Sequence, residues 1–243
     1  MAKYGLIGNN ISYSFSKTFF TLKFEKENRA DTYHNFDITD INQLKDVLKT
    51  NRDLKGLNVT IPFKESVIPL LDKIDKEANS IGAVNTIRIN KKGELKGYNT
   101  DHYGFAHALI EFFPIKEKKA LVLGTGGACK AIKFVLKAMS FEITQVSRSQ
   151  KGKTINYKDI NYQVMSNNYL IINCTPLGTF PNIHEYPDIP YEYLTKDHLA
   201  FDLTYNPRET QFMIRSKKNG ARVTNGLKML EYQAKRSLSI WDS

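Results

Sequence analysis

Residues 120–129 constrain the fold of this chain more than any other stretch. Ala120-Leu121-Val122-Leu123 is an unbroken apolar run, and Gly124-Thr125-Gly126-Gly127-Ala128-Cys129 follows it directly. A short run with no polar face suits a strand buried on both sides, as at the centre of a parallel sheet. The glycines that follow permit a tight turn, and the apolar pattern continuing to Met139 predicts a helix. A glycine loop joining strand to helix lets a pyrophosphate approach the backbone and meet free N–H groups at the helix N-terminus. Glu142 to Val146 then reads as the next strand. That order converts an otherwise weak glycine motif into a dinucleotide-binding prediction, with Gly124, Thr125, Gly126, Gly127 and Ala128 as cofactor contacts. Cys129 stands at the third position of the fingerprint, where glycine is usual, and predicts slightly looser packing of helix on strand.

The end of the next strand selects between dinucleotides. An acid there would accept from a ribose 2′-hydroxyl. The run is instead Val146-Ser147-Arg148-Ser149-Gln150-Lys151. Arg148 can pair with a 2′-phosphate, and Ser147 and Ser149 can donate hydrogen bonds to it. Taken alone, Arg148 could be an ordinary surface arginine; its place after the glycine loop favours NADP(H).

The first hundred residues alternate strand and helix patterns. Strands are expected at Lys3–Gly8, Thr32–Ile38, Leu57–Ile61, Val84–Asn90 and Leu95–Tyr98, the last two as a hairpin about Lys91-Lys92-Gly93. Helices are expected at Ser16–Arg29, Ile41–Thr50 and, for the most part, Val67–Asn79. After a helix from about Tyr103 to Phe113 the pattern restarts. Later strands are expected at Tyr169–Asn173 and Ala200–Leu203, and helices at Glu209–Lys218 and Leu227–Leu238. Gln150 to Asn161 offers little room for a helix. The predicted fold class is α/β, with an N-terminal α/β domain over residues 1–100 and 225–243 and a Rossmann-like domain over 101–224. The C-terminal helix is placed with the first domain, a step the pattern alone does not show.

Gly56-Leu57-Asn58-Val59-Thr60-Ile61-Pro62-Phe63-Lys64 reads as a buried strand that stops at a proline and then presents a lysine. Small-molecule chemistry is often done just past a strand end. Lys64 could also be a surface lysine. Asp101 could cap the following helix, and Asn85 could be a satisfied turn residue. The occurrence of all three beside a nucleotide domain favours a site that binds a hydroxylated acid and moves a proton. An ammonium stabilises charge growing on a carbonyl oxygen and can supply its proton, and a carboxylate beside it holds the lysine. Ser14 and Ser16 could donate two hydrogen bonds to one carboxylate if the backbone between them is extended, and Ser16 could instead, or also, cap the helix.

The chain of 243 residues has a formal net charge of +10, but its lysines are scattered among acids. That argues for a solvated basic surface rather than a nucleic-acid footprint. No apolar run approaches the roughly 18 residues of a membrane span. Two cysteines are too few for a disulfide framework and read as reduced, hence a cytoplasmic protein. The five histidines lack metal-ligand grouping, so no metal is expected.

Together these residues resemble the shikimate dehydrogenase family. The resemblance rests on Tyr4-Gly5-Leu6-Ile7-Gly8-Asn9 with Ser14-Phe15-Ser16, Asn58 to Lys64, Gly82-Ala83-Val84-Asn85-Thr86, Asn99-Thr100-Asp101 and Gly124 to Ala128. It continues through Asn173-Cys174-Thr175-Pro176-Leu177-Gly178, Asp202 to Pro207 with Thr210, and Asn225-Gly226-Leu227-Lys228-Met229-Leu230 with Gln233. The motifs follow family order across nearly the whole chain. The resemblance implies NADP-dependent, reversible reduction of 3-dehydroshikimate to shikimate in aromatic amino-acid biosynthesis. It implies Lys64 and Asp101 as catalytic pair and Ser14, Ser16, Thr60, Asn85, Tyr205 and Gln233 as substrate-binding residues. Leu203 and Gly226 would lie near the nicotinamide. A monomer or homodimer with small-molecule partners only is expected. Lys17 stands where the family usually has proline, and Ser147-Arg148-Ser149 where it commonly has Asn-Arg-Thr. A quinate/shikimate dehydrogenase using NAD or NADP shares the motifs. A methylenetetrahydrofolate-type dehydrogenase fits the paired serines less well, and a ligand-sensing protein fits the retained Lys64 and Asp101 less well.

Overall fold

The computed structural model describes residues 1–11, 14–149 and 152–243. The chain divides into two units, Met1–Tyr103 with Gln233–Ser243, and Gly104–Tyr232.

The first unit is built on β1 (Lys3–Gly8), α1 (Phe15–Lys26), β2 (Thr32–Asp37), α2 (Leu44–Thr50), β3 (Leu54–Val59), β4 (Lys73–Ile74), α3 (Lys76–Ile81), β5 (Thr86–Ile89) and β6 (Leu95–Tyr98). Its six strands run in the order β2-β1-β3-β5-β6-β4. β1, β2 and β3 are parallel, whereas β5 is antiparallel to both β3 and β6, so the expected hairpin forms. Ile7, Leu57, Val59, Val67, Val84 and Ile87 fill one core of this unit. Tyr4, Phe20, Phe24, Tyr33, Leu238 and Trp241 fill another.

Helix α4 (Asp101–Ile110) leads into the second unit, which continues with β7 (Lys119–Leu123), α5 (Gly127–Ala138), β8 (Glu142–Val146), α6 (Tyr162–Asn167), β9 (Leu170–Asn173), β10 (Leu199–Asp202), α7 (Gln211–Lys218) and β11 (Arg222–Thr224). All five strands are parallel, in the order β11-β10-β9-β7-β8. Leu121, Val122, Leu123, Leu170, Ile171 and Ile172 are wholly buried, as expected of strands covered on both faces.

The chain ends in α8 (Leu227–Trp241). From Gln233 onward this helix belongs to the first unit. Gln233, Ser237 and Trp241 recur at four-residue intervals and share a helix face. All three are buried. The Trp241 ring lies over Gly56, where an added Cβ would come within 2.2 Å of Nε1, and Nε1 donates to the Ile87 carbonyl at 2.9 Å. The bare backbone of Gly56 is therefore the seat of the C-terminal anchor.

Two local expectations fail. Residues 67–79 form no long helix; a 3₁₀ turn at Ile68–Leu70, the strand β4 and the short α3 share the segment. The backbone at residues 72–75 bonds to β6 instead, Lys73 and Ile74 pairing with Lys96 and Gly97 and the Asp75 amide donating to the Gly97 carbonyl at 2.8 Å. The cap of α1 is Ser14, whose Oγ accepts from the Lys17 amide at 3.4 Å, rather than Ser16, which lies inside the helix and is buried. β4 and β11, two and three residues long, were too short to read as periodic patterns. Of the segment 150–161, Gln150 and Lys151 lie outside the described residues; the remainder carries one 3₁₀ turn, Tyr157–Asp159.

Candidate active site

In the first unit, Lys64 and Asp101 meet. Lys64 Nζ donates to Asp101 Oδ2 at 2.6 Å, and the two side chains are 15% and 7% exposed. The backbone fixes the lysine first: its carbonyl accepts from the Val84 amide at 2.7 Å, tying the segment after β3 to the approach to β5. Thr60 is pinned likewise, its amide donating to the Ile7 carbonyl at 2.9 Å and its carbonyl accepting from Phe63 at 2.9 Å. Asp101 is the first residue of α4. A carboxylate suits that place because it faces the positive end of the helix dipole.

The second oxygen of the carboxylate is also held. Asn85 Nδ2 donates to Asp101 Oδ1 at 2.9 Å. Asn85 has one possible orientation, because its Oδ1 accepts from the Thr100 amide at 2.6 Å and a backbone N–H can only donate. Gln233 is oriented by the same logic: its Oε1 accepts from Asn85 Nδ2 at 3.3 Å and from Thr100 Oγ1 at 3.2 Å. Its Nε2 makes no hydrogen bond among the described residues and keeps two donors for a ligand. Lys64, Asp101, Asn85 and Gln233 thus converge. Ser14 and Ser16 stand at the start of α1, and Ser16 is buried.

Sequence reasoning overlooked the polar residues behind this group. Tyr33 Oη donates to Asn58 Oδ1 at 2.8 Å, and Asn58 Nδ2 donates to the Asn85 carbonyl at 3.2 Å and to Ser237 Oγ at 3.0 Å. Thr86, Thr100 and Ser237 are fully buried. One signal was present: Asn-Thr occurs at both 85–86 and 99–100, polar pairs in otherwise apolar strand ends. Polar side chains in such places are retained where they find partners.

The second unit carries the glycine loop between β7 and α5. Gly124 has φ +110°, a region that side chains rarely adopt. A Cβ on Gly126 would meet nothing within 4 Å, and Thr125 and Gly126 are exposed. Gly126 is the N-cap of α5 and provides no side-chain acceptor, so the first-turn amides keep their donor capacity toward an anion. Gly127 and Ala128 begin that helix. Packing here is not loose, contrary to the expectation drawn from Cys129. The cysteine is buried in the core beside Ile132 and Leu136, and its thiol donates to the Gly124 carbonyl at 3.1 Å.

Ser147 follows β8 and is buried, while Arg148 and Ser149 are exposed. No acid follows the strand, so this donor set fits a dinucleotide bearing an extra phosphate: amides for the pyrophosphate, a guanidinium and hydroxyls for a second anion. After β10, Asp202 accepts from the Thr204 amide at 2.9 Å and from Thr210 Oγ1 at 2.6 Å, which secures the turn bearing Leu203 and Tyr205. Burial pushes the Asp202 carboxyl up to about 6, and these donors only partly offset it. Leu203 and Gly226 are in contact: a Cβ on Gly226 would sit 2.0 Å from the Leu203 carbonyl oxygen. Tyr205 belongs to this second unit. No group of acids, histidines or cysteines that could hold a metal occurs among the described residues, nor does any helix there have the length and apolarity to cross a membrane.

A five-stranded parallel sheet with a glycine loop after its first strand in chain order, joined to an α/β unit holding an ammonium–carboxylate pair, defines a dinucleotide-dependent α/β enzyme of small-molecule metabolism. A model of the shikimate dehydrogenase substrate binding domain matches residues 6–87. The chain is 36% identical to the shikimate dehydrogenase (NADP(+)) of Clostridium botulinum strain Hall, over 98% of this chain and 95% of that one. The crystal structure of shikimate dehydrogenase from Aquifex aeolicus superposes with a TM-score of 0.89 at 31% identity, covering 100% of this chain and 92% of that one. The Thermus thermophilus enzyme in complex with NADP(H) and shikimate gives a TM-score of 0.87 at 30% identity, covering 99% of this chain and 93% of that one. The chain belongs to the shikimate dehydrogenase family.

Proposed function

We propose that this chain catalyses the NADP-dependent, reversible reduction of 3-dehydroshikimate to shikimate in aromatic amino-acid biosynthesis, with Lys64 and Asp101 as its catalytic pair. The observation that carries the reading is the buried contact of these two side chains, with Asn85 donating to Asp101 and Gln233 bonded in turn to Asn85. When bound, the dinucleotide supplies the hydride that reaches the ketone carbon, or takes it up in the reverse direction. Lys64 faces the oxygen, stabilises the negative charge that grows there and delivers the proton. Asp101 holds the ammonium in place and accepts a hydrogen bond from a neighbouring substrate hydroxyl. Ser14 and Ser16 take the substrate carboxylate, and Thr60, Asn85, Tyr205 and Gln233 engage the ring hydroxyls. The first unit serves as the substrate domain and the second as the NADP domain.

On the cofactor side, Gly124, Thr125, Gly126, Gly127 and Ala128 cradle the pyrophosphate. Arg148, with Ser147 and Ser149, takes the 2′-phosphate, and Leu203 and Gly226 border the nicotinamide. Two free thiols support a reducing, cytoplasmic setting, and the protein acts as a monomer or homodimer. The test is the absorbance of NADPH formed from shikimate and NADP⁺ at alkaline pH, where removal of the released proton favours oxidation. Turnover that needs both compounds supports the reading; its absence refutes it.

A further inference from the structure

We infer that Ser237 is a positioning residue for substrate binding: its hydroxyl sets the direction of a buried hydrogen-bond cluster that keeps Gln233 turned amide-outward. The inference rests on the proposed function. Three hydroxyls from three separate segments meet inside the first unit. Ser237 Oγ lies 2.8 Å from Thr86 Oγ1 and 3.1 Å from Thr100 Oγ1, and the two threonine oxygens are 3.2 Å apart. Each hydroxyl has one proton to give, so the order of donation can be worked out.

Ser237 gives its proton to the Gln233 carbonyl one helical turn earlier, at 3.0 Å. It can then only accept. Asn58 Nδ2 donates to it, and Thr86, the nearest hydroxyl, supplies the second proton. With its proton directed to Ser237, Thr86 does not compete for Asn85 Oδ1, 3.2 Å away, or for Thr100 Oγ1. Thr100 Oγ1, 3.0 Å from Asn85 Nδ2, has two acceptors for its own proton at 3.2 Å, Gln233 Oε1 and Asn85 Oδ1; since Asn85 Oδ1 already accepts from the Thr100 amide, the proton is assigned to Gln233. The Gln233 amide oxygen is thereby occupied from within, and Nε2 is the end presented to a ligand.

Without the Ser237 hydroxyl, the proton of Thr86 returns to Asn85 or Thr100, Asn58 loses an acceptor, and the cluster has several donation orders of similar energy. Gln233 Oε1 then loses Thr100 as a steady donor and keeps only the longer contact with Asn85 Nδ2 at 3.3 Å, so its amide is held less firmly. Asn85 keeps its orientation, because the Thr100 backbone amide still holds its Oδ1. The effect therefore falls on substrate binding rather than on the Lys64–Asp101 pair.

The experiment compares Ser237→Ala with wild type in the NADP⁺-dependent oxidation of shikimate, well below both melting temperatures. The KM for shikimate is expected to rise about tenfold, with kcat within about threefold and the KM for NADP⁺ unchanged. An unchanged KM for shikimate, or equal changes in the constants for both substrates alongside a lowered melting temperature, would overturn the inference. Should Ser237→Ala not fold, Thr86→Val and Thr86→Ser decide the matter. The valine variant loses the donor to Ser237 and should raise the same KM; the serine variant keeps the donor and should leave that KM near wild type. Equal constants for the two variants would overturn the inference. A wild-type chain without activity would sink the proposed function itself, whereas an active wild type with an unmoved Ser237→Ala sinks only this inference.

Discussion

The two units each bury an aspartate, and the contrast lies in what faces it. Asp101 in the first unit meets the ammonium of Lys64 at 2.6 Å. Asp202 in the second is wholly buried and is met by neutral donors, Thr204, Thr210 and Asn173. A buried carboxylate without a cation retains part of its desolvation cost, and burial accordingly pushes Asp202 up to about 6. A carboxylate paired with an ammonium holds a movable proton in reach of a ligand. The arrangement at Asp202 secures a turn, and the one at Asp101 is suited to chemistry. Both positions are buried and carry the same side chain, so the partner decides the role.

The largest expected effect comes from removing that partner. Lys64→Ala should lower kcat by about a thousandfold or more while shikimate binding, followed by calorimetric titration, changes only a few-fold. Near-normal turnover would erase the distinction between the two aspartates. Next, Trp241→Ala removes the ring seated on Gly56 and should cost about 3–5 kcal/mol in denaturant unfolding. Because Gln233 and Ser237 lie on the same helix face, its KM for shikimate should rise as well.

In the second unit, Arg148→Ala should raise the KM for NADPH about 10- to 100-fold and leave that for NADH nearly unchanged. Equal effects on both would remove the 2′-phosphate assignment. The smallest effect concerns Asp202→Asn. An asparagine can keep its oxygen toward the Thr204 amide and turn its NH₂ toward Thr210 Oγ1. With a folded-state value of about 6 against an ordinary 3.8, native Asp202 binds its proton more tightly than the unfolded chain does. Its contribution is therefore most favourable below the ordinary value and is lost as pH rises through about 6. Melting curves from about pH 4 to about pH 6 should show wild type losing stability relative to the variant as pH increases. Parallel curves would contradict the account of Asp202.

The dinucleotide loop was legible because its determinants are contiguous: apolar strand, glycines and helix lie close together in the chain, and backbone geometry follows from near neighbours. The short elements were not legible. β4 has two residues, too few to show a pattern, and the helix-like apolar spacing of residues 67–79 gives way to a long-range pairing of Lys73–Ile74 with β6. In the site, Lys64, Asp101 and Asn85 could be named from motifs, but Tyr33, Thr86, Thr100 and Ser237 could not. A hydroxyl has no preferred partner in a sequence. Ser237 sits on a helix otherwise indistinguishable from one that packs by apolar contact alone.

The sequence by itself determined which residues could do chemistry and where the backbone must turn tightly, since strand, helix and glycine preferences act over a few residues. Tertiary structure decided which of those groups meet and which way each proton points. The bonds concerned join Lys64 to Asp101 across 37 positions and Asn85 to Gln233 across 148. The direction of such a bond depends on every donor and acceptor within about 3 Å, and only the folded chain brings those groups together.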